Sequence, residues 1–213
     1  MKLAKFLSTV AALTIATAIP AQAANAKTVE FNWRGETFVL TVPQDYCVPE
    51  GQWAERARAN AAGDSQNETV IDLERCGTFG QDYILIKTPR DLPPIDLPRS
   101  QFIDLVAGQF SDEVLQQGFE QGSRDVSKMS NGETSVDQRD YGFAGTDADC
   151  AYLAGNMTLN SPEGALNVRV GSCLTLVGTR NFAIHVYDNR QGGANVATLK
   201  QRSRQVAVAL RRK

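Results

Sequence analysis

The sequence predicts an α+β domain: an antiparallel sheet flanked by helices, an α/β/α-type sandwich held by two disulfides. Three observations carry this. Residues 28–43 and 166–188 each read as paired runs of β-branched, aliphatic and aromatic residues around a short turn, the pattern of a β-hairpin. Residues 100–118 and 195–213 repeat apolar residues at helical spacing. Four cysteines, Cys47, Cys76, Cys150 and Cys173, follow an N-terminal segment with the features of a secretory leader.

That leader sets the compartment. Lys2 and Lys5 form a basic start, residues 6–19 an apolar run, and Ala21-Gln22-Ala23 a small-x-small cleavage signature. The run is short for a permanent membrane span. The reading is a cleaved Sec signal peptide at 1–23 and one α+β domain at 24–213, periplasmic or secreted. No cysteine directly follows the run, the first being Cys47, so a lipoprotein is not expected. Two disulfides follow, with Cys47–Cys76 and Cys150–Cys173 favoured because each ties a local unit. Each would contribute roughly 3–4 kcal/mol by the chain-entropy estimate.

Loss of Lys2 and Lys5 with the leader leaves 20 basic against 24 acidic residues, a charge of −4. Nucleic-acid binding draws most of its affinity from a basic field, so that class is set aside. There is no Cys-x-x-Cys pair, no phosphate loop and no dinucleotide fingerprint; neither a metal nor a cofactor is expected.

The 166–188 hairpin is the centre of the fold. Pairing Val177 with Phe182 puts Cys173, Thr175, Val177, Phe182, Ile184 and Val186 on one face. Ser172, Leu174, Leu176, Ala183, His185 and Tyr187 fall on the other. Neither face is polar enough for water, so both should be covered. Residues 28–43 form a second hairpin ended by Pro43, and 69–76 and 82–87 two further strands. Residues 52–60 read as a short helix whose Trp53 is a lid on the core or a partner anchor, and 88–98 as a proline-rich connector. Ser100 is the expected cap of one helix reaching Gly118, with residues 123–140 a polar stretch turning at Asn131-Gly132. Strand character returns over 141–159, and a last helix begins near Asn195 with a basic second half.

Candidate chemistry is sparse. His185 is the sole histidine, and Ser172 sits on its face as a diagonal neighbour, close enough for a hydrogen bond; Tyr187 is beside it. No Gly-x-Ser-x-Gly elbow is present, which favours a packed histidine over a catalyst. Asp147 and Asp149 resemble half of a calcium loop without its glutamate, so a solvated loop is the simpler reading.

The element order, with Phe38–Pro43 and Tyr46, the Ser100–Val114 helix and the closing Val196–Leu210 helix containing Ser203, resembles the PsbP-like fold. That fold is shared by the extrinsic photosystem II subunit and by DcrB-type envelope proteins. The resemblance implies an antiparallel sheet between helical layers and carries over no catalytic residue. The chain departs from the DcrB type in its four cysteines and in lacking a lipidation cysteine. The expected function is a non-catalytic binding or accessory module of the cell envelope, its partner an envelope protein or ligand. The alternative is a hydrolase-type enzyme using His185 with a neighbouring hydroxyl. A weaker one is membrane-surface contact through the basic C-terminal helix.

Overall fold

The computed structural model describes residues 27–138 and 140–213. The leader assigned to residues 1–23 lies outside them. In chain order the elements are β1 (Thr28–Trp33), β2 (Glu36–Thr41), β3 (Tyr46–Cys47), α1 (Gly51–Gly63), β4 (Asn67–Arg75) and β5 (Asp82–Pro89). Then come α2 (Arg99–Ala107), α3 (Asp112–Met129), β6 (Ser135–Gln138), β7 (Gly142–Thr146) and β8 (Ala151–Ser161). The chain closes with β9 (Gly164–Val177), β10 (Arg180–Asp188), α4 (Val196–Ala209) and β11 (Leu210–Arg212). This is the α+β class, weighted toward sheet.

The β9–β10 hairpin does sit at the centre. The main sheet runs β3-β4-β5-β10-β9-β8-β6, with β7 also on β8, and every pairing is antiparallel. Its register differs from the expected one. Val177 pairs with Arg180 across a two-residue turn, so Phe182 faces Thr175 and His185 faces Ser172, not Leu174. A two-residue slip keeps every side chain on its face, whereas a one-residue slip would exchange the faces. The apolar pattern therefore fixed the faces but could not choose between the two registers.

One face carries Ile71 and Leu73 from β4, Ile84 and Ile86 from β5, Phe182, Ile184 and Val186 from β10, and Cys173. α4 lies on it through Leu199, Val206 and Ala207, and the small sheet β1-β2-β11 adds Phe38, Leu40 and Leu210. Rings of Phe38 and Phe182 meet edge to face at 5.0 Å. Gly171 makes the helix contact possible: a Cβ there would sit 2.5 Å from the Leu199 carbonyl carbon. At one end of this face Asp82, fully buried, meets Arg75 at 3.3 Å, Arg190 at 2.7 Å, Arg202 at 3.3 Å and the Tyr46 hydroxyl. Buried charge needs such partners.

Both disulfides form as favoured, Cys47–Cys76 and Cys150–Cys173, and no free cysteine is present among the described residues.

Two helical expectations are corrected. The helix expected from Ser100 to Gly118 is two helices. α2 ends at Ala107, and a new helix begins at Asp112 with Ser111 as its cap, the hydroxyl accepting from the Val114 amide at 3.3 Å. Ser100 lies inside α2, two residues past the cap position of Pro98. Leu105 and Val114, expected on a buried stripe, are 51% and 48% exposed. The polar stretch from residue 123 continues α3 to Met129, and Asn131 and Gly132 then turn, as expected, with positive φ. At the C-terminus α4 starts at the expected Asn195 cap, with Asn195 Oδ1 accepting from the Thr198 amide at 2.8 Å. Its final cations, however, lie in β11 and at the residue after it. Arg212 pairs with Glu36 and Lys213 with Glu30, while Arg204 pairs with Asp147 and Asp149. These ion pairs account for much of the basic patch that suggested lipid contact, and they engage both aspartates. No helix among the described residues is long and apolar enough to cross a membrane.

Candidate functional site

The other face of the sheet is covered differently. α2 seals one end, where Phe102 and Ile103 pack on Ala151 and Leu176. Over the rest lie α1 and α3, and between them and the sheet is a cavity of about 790 Å³. Its floor is the face carrying His185: Leu85 and Tyr83 from β5, Tyr187 from β10, Val168 and Val170 from β9, Met157 and Leu159 from β8. Tyr83 and Tyr187 stack at 4.8 Å.

The roof leaves that volume open because of its residues. α1 contains no buried side chain and α3 only Asp125. The roof places Ala57, Ala61, Gly118 and Gly122 on the cavity wall, and a Cβ at either α3 glycine would meet nothing within 4 Å. Glycine inside a helix is unfavourable by roughly 0.5–1 kcal/mol relative to alanine, and α3 carries it at two exposed positions on the cavity's edge. Trp53 is half-buried at the rim and stacks on Phe79 at 5.3 Å. It is a lid over the cavity rather than over the solid core.

Polar groups enter from three sides. His185 Nδ1 lies 2.8 Å from Ser172 Oγ, and Ser172 also hydrogen-bonds Tyr141. Tyr141 gets there because its chain crosses β8 at Gly155, where a Cβ would lie 2.6 Å from the Asp140 carbonyl carbon. Burial, assisted by nearby Lys87, pushes the His185 pKa down to about 3, so the ring is neutral. Ser172 has one proton and two neighbours. With that proton on the Tyr141 side, Nδ1–H donates to Ser172 and Nε2 is left as an acceptor. Lys87 is held by Asp64 at 2.7 Å.

Asp72 is the exception. Its Oδ1 is buried and has no hydrogen-bond partner among the described residues. Burial first, then the charge of Glu74, raises its pKa to about 7. Glu74, next along the same face, accepts from the Gly80 amide at 2.8 Å and is also raised by burial.

The three residues marked by sequence, Ser172, His185 and Tyr187, thus come together on one floor. Ser172 is fully buried beneath it, and the ring of Tyr187 lies 6.0 Å from that of His185. Sequence reasoning did not pick out Asp72, Glu74, Tyr83, Lys87 or Tyr141. A signal existed in Ile71-Asp72-Leu73-Glu74, whose alternation sends two carboxylates to one face and two aliphatics to the other. No cluster of three or more metal-ligating side chains occurs among the described residues. No family model and no curated protein matches the chain.

Proposed function

We propose that this protein is a non-catalytic binding module of the cell envelope that holds a small molecule in the cavity beneath α1 and α3. The cavity carries the reading: 790 Å³ is within the range of ligand pockets, and an aliphatic and aromatic floor meets a wall with many polar and charged side chains. Two disulfides and a leader-like N-terminus support a periplasmic or secreted location. The layered architecture is compatible with the PsbP-like resemblance, which we keep as part of the proposal.

The Ser172–His185 hydrogen bond is the one observation favouring hydrolysis, and its surroundings favour binding instead. Ser172 is 0% exposed, out of a substrate's reach. An imidazole whose conjugate acid has a pKa of about 3 is a poor acceptor for a serine proton. Native mass spectrometry of protein isolated from its own envelope fraction tests the proposal. A discrete small-molecule adduct on a chain beginning at Ala24 is expected. A chain retaining its leader in the cytoplasm, or turnover of esters abolished by Ser172→Ala, would contradict it.

A further inference from the structure

Resting on that reading, we infer that the cavity selects an organic cation: an amine whose apolar body lies on the tyrosine and aliphatic floor and whose charged head reaches Asp72.

The charges around the cavity are unevenly satisfied. Asp64 holds Lys87 at 2.7 Å, and the Lys87 charge also favours the ionised form of Asp72 without hydrogen-bonding its buried oxygen. Asp125 on α3 accepts from Ser65 at 3.1 Å and from Gln121 at 3.0 Å. Arg56 on α1 lies over the Trp53 ring, 5.7 Å from its centroid, and helps to hold Glu74 charged. His185 on β10 is neutral. That leaves Asp72, with a buried oxygen lacking any donor. An unmet buried acceptor of this kind is rare in folded proteins, and a bound donor is the simplest way to satisfy it. A cationic donor fits best, because it would also offset the repulsion between Asp72 and Glu74. The stacked rings of Tyr83 and Tyr187 on the floor add to this preference, since aromatic rings attract cations. The rest of the floor, Leu85, Val168 and Val170, accepts a hydrocarbon chain.

The test uses a matched pair of probes, 4-phenylbutylamine and 4-phenylbutanol, each displacing the neutral dye Nile red from the full chain at pH 8. The amine is expected to displace at about tenfold lower concentration than the alcohol or better. Asp72→Asn is expected to weaken the amine and bring the two within about twofold. Equal displacement by amine and alcohol in the unaltered protein would overturn the charge inference and leave the cavity reading standing. Failure of Nile red to bind at all would overturn both. Asp72→Asn is nearly isosteric, and a thermal melt reports that the variant is folded.

Discussion

Asp72 and His185 lie on one row of the main sheet, each directly opposite Leu85 from either side. They are therefore two strands apart, about 10 Å, and both line the same cavity. Burial acts on them in opposite senses. It keeps the acid protonated to higher pH and the base unprotonated to lower pH, so both are driven toward neutrality.

His185 has its pKa depressed from 6.5 to about 3. Below pH 6.5 the unfolded chain takes up a proton that the native ring refuses, so stability falls as pH falls. Urea midpoints at pH 6.5 and 5 should show the wild type losing about 2 kcal/mol more than His185→Gln. Parallel pH profiles would contradict this.

Asp72 has its pKa raised to about 7. A raised acid contributes its stability below the unfolded value and loses it as pH rises through the folded one. Asp72→Asn should therefore be close to neutral at pH 4 and stabilising by about 1–3 kcal/mol at pH 8, allowing for partial solvent access. Thermal melts across that range decide it; a variant less stable at pH 8 than at pH 4, relative to wild type, would be the wrong sign.

Gly171 lies under the α4 backbone. Gly171→Ala forces that helix off the sheet, with an expected loss of about 1–3 kcal/mol or more. An unchanged melting temperature would show that α4 does not pack as described.

The two disulfides should reduce in order. Cys76 is exposed and Cys47 half-buried, whereas Cys150 and Cys173 are both 0% exposed in the core. Titration with dithiothreitol under native conditions, read by alkylation and peptide mapping, should open Cys47–Cys76 first. Opening of Cys150–Cys173 should coincide with unfolding, since attack requires access to the sulfur.

Sequence was informative wherever one face of an element is buried. In β9 and β10 the period of two assigned all twelve expected side chains to their faces while leaving the two-residue slip undecided. It was weaker where elements are short or half-solvated. β11 is three residues and owes its place to pairing with β2. The break between α2 and α3 was signalled by Ser111 ahead of Asp112 and Glu113, a capping pattern masked by the apolar residues on both sides. The site was legible in His185, Ser172 and Tyr187. It was not legible in Asp72, because a carboxylate alternating with aliphatics reads as a solvent-facing residue until a roof is known to lie above it. Nor does sequence show that Gly118 and Gly122 leave space; that depends on what faces them.

Gly122 supplies the most direct test of the central claim that the roofed cavity is the binding site. Gly122 lines the cavity and a Cβ there meets nothing within 4 Å, so Gly122→Leu should place its side chain at the cavity wall and improve the helix. Titration of Nile red into wild type and Gly122→Leu, beside a thermal melt of each, is the measurement. The account predicts saturable binding to the wild type, loss of about tenfold or more in the variant, and a melting temperature equal or higher. Undiminished binding to a folded Gly122→Leu protein would place the ligand elsewhere and contradict it.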